Sequence, residues 1–385
     1  MTRSIGKTDR SGSVAAHSAS SAQIPGEVRA GGRELSATAS VLAPPVRALW
    51  ISWNPHRRTT GLCAAWEVPL HVIRTKRNGL LRWIERAART LELLRRQKPE
   101  ILFIQNPSLA LSMLAILTRR LFGFYLVVDA HNEGVRPFER PGTVVRWLTL
   151  RVLGGADATI VTNAALARDV SAAGGRALVL PDGLPVPPAL PAAFKAGEDA
   201  PHVAVIATFR PDEPIPAIMA AAAAMPEVRF AVSGVAERFR RRAMPVPPNV
   251  RLTGFLPDPA YWNLLAQAAV IVDLTVKPDC LVCGAYEGLA MAKPLVLSDN
   301  PATREIFGPA AVLTGSSPDE IARAVRKALD ERERLAASAR KLREAFRTRW
   351  PAQAAAAWET IHAGAAEASR ARTRGGRTQG PLHKS

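Results

Sequence analysis

No stretch of this 385-residue sequence approaches the run of about 18 apolar residues that a membrane-spanning helix needs. The best candidate, Leu109 to Leu117, is cut by Ser112 and followed by Arg119 and Arg120. Residues 1–45 are rich in Ser, Ala and Gly and hold no continuous apolar segment of the kind that forms the core of a secretory signal. They read as a disordered extension, and the chain as cytoplasmic. Cysteine is scarce: three residues, an odd number, argue against a disulfide framework. Cys280 and Cys283 form a C-x-x-C, but a zinc site would need two more ligands at suitable spacing and a redox motif would open a thioredoxin-like helix, so packing around the loop they sit in is the expected use.

Acidic residues are the minority, 33 against 51 Lys and Arg, leaving a net charge of +18. Such an excess invites a nucleic-acid reading, yet the cations are spread over helices, as at Arg82, Arg86, Arg89, Arg95, Arg96 and Lys98. There is no alternation of aromatic and basic residues, no zinc finger and no RNP-type motif. No nucleic-acid partner is expected. A solvated helix face is one use for these cations; peripheral contact with anionic lipid headgroups, or with a phosphate-bearing acceptor at the inner membrane surface, is another.

What the chain does have is enough apolar content, 48% with a mean hydropathy of +0.01, to bury a sizeable core. From Val46 strands and helices alternate. Apolar strands are expected at 47–52, 70–74, 101–105, 125–129 and 158–162, with helices over 80–96, 109–122 and 144–153. In the first helix Leu80, Ile84, Ala87, Leu91 and Leu94 form an apolar stripe. Proline then becomes dense over 181–201 and the pattern stops. It restarts with strands at 203–207, 229–232, 250–252 and 270–274 and helices at 215–224 and 259–268. A long charged helical pattern follows over 319–346, with a further helix over 352–363 after Pro351.

Buried strands alternating with helices indicate α/β architecture, here two Rossmann-like, doubly wound domains facing a cleft. The expected organisation is a disordered extension over 1–45, an N-terminal domain over 46–185 and a linker over 186–201. A C-terminal domain over 202–350, a final helix over 351–365 and a disordered basic tail over 366–385 complete it.

The most informative stretch is residues 278–305, PDCLVCGAYEGLAMAKPLVLSDNPATRE, in which Asp279 and Glu287 are separated by seven residues. Gly284 between them permits close backbone approach. Glu287 to Ala292 reads as the first turns of a helix that Pro294 ends before the strand Leu295 to Leu297. A helix start beside two carboxylates suits a sugar nucleotide, because free N–H groups hold a pyrophosphate while carboxylates accept from sugar hydroxyls.

This passage, with AMAKPLVLSD and Glu305 beyond it, resembles the E-x7-E region of retaining GT-B glycosyltransferases, the group 1 or family 4-like enzymes, with Asp at the first position. Other short stretches match in order over most of residues 46–363: Pro181-Asp182-Gly183, Ser233-Gly234, and VRLTGF at 250–255 with Gly254. The resemblance implies transfer of a sugar from a nucleotide-sugar donor held by the second domain to a glycan, lipid-linked or other acceptor on the first, and makes 351–365 a crossover helix that returns to the first domain. It implies no cofactor and no metal, and no D-x-D pair is present.

By the same resemblance Asp279 lies by the donor sugar, Glu287 binds the ribose, and Gly234, Gly254, Gly284, Gly288 and Leu289 line the donor site. Arg210 clamps the pyrophosphate. The lysine the family carries a few residues later is missing: the segment runs Arg210-Pro211-Asp212-Glu213-Pro214. Either another cation supplies the second charge, or the helix start holds the donor.

In the first domain, Val127-Val128-Asp129-Ala130-His131-Asn132-Glu133 puts polar side chains at a strand's carboxyl end, and the resemblance makes His131 the histidine near the reacting sugar. Asp129 is expected to orient that loop. Asn106, after Gln105, and Asn132 open towards the expected cleft as acceptor contacts. Arg57 and Arg58, in the loop after the first strand, could meet an anionic acceptor or simply face solvent. Two other uses of the fold remain open: a non-catalytic binding subunit, which the missing lysine and the Asp-for-Glu exchange favour, and a sugar-nucleotide epimerase.

Overall fold

Two six-stranded parallel sheets organise the chain. The computed structural model describes residues 46–137, 142–188, 202–241 and 244–377. The expected extension over 1–45, most of the linker and the last part of the tail lie outside the described residues.

The first sheet comprises β1 (Ala48–Ser52), β2 (Leu70–Val72), β3 (Ile101–Asn106), β4 (Tyr125–Ala130), β5 (Ala158–Val161) and β6 (Ala177–Val179), in the order β2-β1-β3-β4-β5-β6. The second comprises β7 (Val203–Val205), β8 (Phe230–Ser233), β9 (Val250–Gly254), β10 (Val270–Asp273), β11 (Leu295–Ser298) and β12 (Ala311–Thr314), in the order β12-β11-β10-β7-β8-β9. Their helices are α1 (Arg57–Ala65), α2 (Gly79–Gln97), α3 (Leu109–Phe122), α4 (Asn132–Val135), α5 (Thr143–Gly155) and α6 (Ala164–Ala172). Then come α7 (Ile215–Ala223), α8 (Ala236–Arg240), α9 (Asp258–Gln267), α10 (Cys283–Ala290), α11 (Pro301–Phe307), α12 (Pro318–Asp330) and α13 (Arg332–Arg377).

Both sheets are covered on both faces, which is why β3 and β4 are buried at every position and begin with unbroken apolar runs, 101–104 and 125–128. One face of the first sheet packs Leu102, Ile104, Leu126 and Val128 beneath α3 and α5; the other packs Trp50, Phe103 and Val127 against α13. The order of strands reverses between β1 and β3 in the first sheet and between β7 and β10 in the second. A crevice opens at the carboxyl ends of the strands at each reversal.

The expected helices at 319–346 and 352–363 are differently divided. A capping box at Ser317 and Glu320 starts α12, and the chain then enters α13, which contains Pro351. Before this proline Leu335, Ala339 and Phe346 pack on the second sheet's core; after it Ala354, Trp358, Ile361 and Ala365 pack on the first. Trp66 Nε1 donates to the Ala354 carbonyl at 2.9 Å, and Trp358 lies against Trp66 and Phe103. The helix continues to Arg377, so residues 366–377, expected in a disordered tail, are helical.

The apolar stripe of α2 is only partly used. Leu94 is fully buried, whereas Leu80 and Ile84 are 73% and 55% exposed. Among the described residues no helix is long and apolar enough to cross a membrane.

Candidate functional site

The segment after β10 faces the first domain. Asp273 ends that strand in the interior, and its Oδ2 accepts the Gly284 N–H at 2.9 Å. A Cβ at Gly284 would stand 2.5 Å from both that oxygen and Ile206, so only glycine lets α10 approach the strand end so closely. Burial holds the Asp273 carboxyl well above the usual range. Helix α10 begins at Cys283 rather than at Glu287, which places Glu287 one turn inside it. There the carboxylate is nearly buried: Oε2 accepts from the Tyr261 hydroxyl, and Oε1 accepts from Arg57 Nη1 of the first domain at 2.9 Å. Burial raises the Glu287 pKa, against the lowering effect of the Tyr261 hydrogen bond and of Arg57.

Asp279, with φ of 51°, is likewise turned to the first domain. Its Oδ2 accepts from Arg136 Nη1 at 2.8 Å and its carbonyl accepts from Asn163 Nδ2 at 2.9 Å. Asn132 Nδ2 donates to the Pro278 carbonyl at 3.0 Å. Both motif carboxylates therefore meet arginines from the opposite wall.

Beside them, Arg210 after β7 and Lys277 after β10 both donate to Oε1 of Glu133 on α4, Lys277 at 2.5 Å. Asp212 lies between the cations, 3.4 Å from Arg210 Nε and 3.2 Å from Lys277 Nζ. Chemically this is a site for an anionic oxygen, filled here by a carboxylate.

On the first-domain wall His131 caps α4. Its ring centroid is 4.1 Å from that of His56, and its Nε2 is 3.7 Å from Asp129 Oδ2, beyond hydrogen-bond reach. Among the described residues His131 Nε2, Asp129 Oδ2 and His56 Nδ1 are buried without a hydrogen-bond partner. Burial lowers both histidines, His56 to about 4, so both are neutral at pH 7.

Two family models match the chain: a glycosyl transferase 4-like domain over residues 25–183 and a glycosyl transferase-like model over 213–360. The chain is a GT-B glycosyltransferase of group 1. Comparison with curated proteins finds no significant match. Among solved structures it is similar to Anabaena HepE in complex with UDP and glucose, at 14% identity and TM-score 0.65, covering 82% of this chain and 100% of that one. Sucrose-phosphate synthase from Thermosynechococcus elongatus is similar at 16% identity and TM-score 0.63, covering 86% and 100%. A glycosyltransferase from Rickettsia africae follows at 9% identity and TM-score 0.59, covering 83% and 99%.

In this glycosyltransferase the cleft brings together His131, Asp279, Glu287, Arg210, Arg57 and Asn132. Gly234 adopts φ of 142° where a Cβ would stand 2.6 Å from the Ala207 carbonyl, and its N–H donates to the Gly254 carbonyl, so these glycines shape the ends of β8 and β9.

Five expected contacts are placed otherwise than the sequence suggests. Gly288 faces the sheet, where a Cβ would meet Leu295 at 2.5 Å, and Leu289 is fully buried in the core. Asn106 is buried, donating to the Gly134 carbonyl at 3.0 Å, with its neighbour Gln105 bonded to Ser52. Arg58 belongs to α1 and is buried, donating to Asp129 at 2.8 Å, to the Leu180 carbonyl at 3.0 Å and to Asp182. Arg57, also on α1, reaches Glu287 and Asp258 rather than an acceptor surface.

Sequence reasoning missed Lys277, Glu133, Arg136, Tyr261 and His56. Lys277 offered one signal, its place between an apolar strand and Asp279; Glu133 and Arg136 are brought in by contacts across the cleft, and Tyr261 and His56 by packing within their own domains. Cys280 and Cys283 are free, and burial pushes the Cys280 thiol up to about 12, which leaves it unreactive.

Proposed function

We propose that this glycosyltransferase moves a sugar from a nucleotide-sugar donor on the second domain to a glycan or lipid-linked acceptor on the first, with retention of configuration and without a metal ion. The observation that carries the reading is the pair Asp279 and Glu287: both carboxylates come from one segment at the carboxyl end of β10 and both face the opposite wall of the cleft. Glu287 takes the ribose hydroxyls and Asp279 orients the donor sugar. Arg210, with the start of α10, takes up the charge that develops on the leaving diphosphate, a task that fixed cations and backbone N–H groups perform without a divalent ion. The neutral His131, its Nε2 unpartnered beside Asp129 among the described residues, receives a sugar hydroxyl.

The enzyme contributes to polysaccharide or glycolipid assembly at the cytoplasmic face of a membrane. Supporting this, α2 exposes Leu80, Leu81, Trp83 and Ile84 beside Arg82 and Arg86, and the neighbouring α3 and α5 expose Leu117, Leu121 and Trp147. Apolar side chains among arginines suit an anionic lipid surface. Co-sedimentation with phosphatidylglycerol vesicles but not phosphatidylcholine vesicles is expected, weakened in Leu80→Asp/Ile84→Asp; equal binding to both vesicles removes the membrane assignment.

The donor reading is tested by a thermal-shift panel of UDP, GDP, ADP and their sugars, followed by donor turnover. HepE is described with UDP and glucose, so UDP and UDP-glucose head the panel. One nucleotide is expected to raise Tm, and Glu287→Ala to abolish the shift. If Glu287→Ala responds like the parent, the ribose assignment fails. Isomerisation of the sugar nucleotide with no acceptor present would mark an epimerase, and binding without turnover a non-catalytic subunit.

A further inference from the structure

The loop after β7 lacks the expected lysine and is closed by other residues. Arg210 is followed by a tight turn and by Ile215, which is fully buried at the start of α7. Glu213 closes the turn, accepting the backbone N–H groups of Thr208 at 2.9 Å and Phe209 at 2.7 Å. A second cation arrives instead from the neighbouring strand. β7 and β10 are adjacent, pairing Val205 with Val272, and their loops are tied where the Val276 N–H donates to the Asp212 carbonyl at 2.8 Å. That tie sets Lys277 opposite Arg210.

We infer that Lys277 and Arg210 form the clamp for the donor's diphosphate, and that Glu133 occupies this clamp in the ligand-free enzyme and is displaced when the donor binds. The inference rests on the donor reading above. Three observations carry it. The Lys277 side chain is only 6% exposed, and Asp212 of the second domain lies beside both it and Arg210. A carboxylate from the other domain meets both cations through a single oxygen. Asp212 is itself fixed by Thr275 Oγ1 at 3.1 Å, so the spacing of the cations persists when Glu133 leaves. One anionic oxygen between a guanidinium and an ammonium is the geometry a phosphate oxygen takes. Displacement also breaks a tie between the domains, which couples donor arrival to movement of α4 and of His131 at its start.

Calorimetry with inorganic pyrophosphate, UDP and uridine tests this. Loss of a charge-assisted contact predicts that Lys277→Met binds pyrophosphate and UDP about 10- to 100-fold more weakly. Uridine binding stays unchanged. Lys277→Arg restores pyrophosphate binding, which guards against a folding defect in the methionine variant. Glu133→Gln, freed of the competing charge, binds pyrophosphate more tightly than the parent, and this gain disappears in Lys277→Met. Pyrophosphate binding by Lys277→Met equal to the parent's, with nucleotide still bound, overturns the clamp alone; weaker binding by Glu133→Gln overturns the displacement. Lysine-dependent pyrophosphate binding without binding of UDP, GDP or ADP overturns the donor reading alone, and a parent that binds neither overturns both.

Discussion

Beneath the first-domain wall, Arg58 is buried against Asp129 and Asp182, while at the mouth of the cleft its sequence neighbour Arg57 is half exposed and reaches across to Glu287 and Asp258. Two adjacent arginines at the start of one helix thus meet two carboxylates each, in opposite surroundings. The buried set has no solvent to replace a lost partner, so it holds the wall in place. The exposed set is screened and exchangeable, so its partners can part when a ligand enters. Burial of the arginine, rather than residue type, separates the pairs that Arg58 makes beneath the wall from those that Arg57 makes at the mouth.

The comparison breaks most visibly at Arg58. Arg58→Ala leaves Asp129 and Asp182 facing each other without a cation, and denaturant unfolding is expected to show a loss of roughly 3–5 kcal/mol. A loss below that of an ordinary surface substitution would make the buried cluster irrelevant to stability. A pH series probes the same wall. His56 is lowered from 6.5 to about 4, so its contribution is fully present above pH 6.5 and lost as the pH falls through about 4. The shift corresponds to about 3 kcal/mol over that window. His56→Asn is expected to flatten the acid limb of the stability curve; an unchanged limb sinks the assignment.

On the other wall, Gly288→Ala pushes a methyl group into Leu295 and is expected to cost about 1–3 kcal/mol while leaving nucleotide specificity alone. Specificity that changes with unaltered stability would return Gly288 to the donor site. The smallest effect belongs to Arg57→Ala: under about 1 kcal/mol in unfolding, with nucleotide affinity equal to or above the parent's because Glu287 is released. Destabilisation as large as that of Arg58→Ala would erase the distinction between the two arginines.

Much of the fold was legible because buried parallel strands leave unbroken apolar runs, as at Ile101 to Ile104 and Tyr125 to Val128. Short elements were not. Helix α1 carries two threonines and a glycine and lacks a side-chain cap, so its local propensity is poor and its helicity depends on burying Leu62 and Cys63. The apolar stripe of α2 pointed to a core that only its last turns enter: Thr90 and Leu94 are buried, while Leu80 and Ile84 are exposed. In the site, Asp279, Glu287 and Gly284 were legible from local spacing around a strand end and a helix start. Asn106, at the end of β3, and Arg58, in the first turn of α1, were misplaced because a polar side chain can turn into the interior when a carbonyl or carboxylate there receives it.

By itself the sequence determined two runs of alternating strand and helix, the proline-dense break between them and the carboxylate motif after β10, since each is written in the periodicity or spacing of nearby residues. Only the tertiary structure decided which charges meet. Strand order puts β10 beside β7 and so Lys277 beside Arg210, while closure of the cleft brings Glu133 to both. Residues 133, 210 and 277 are far apart along the chain. Contacts at that separation arise from how sheets are ordered and domains packed, and local pattern carries no record of either.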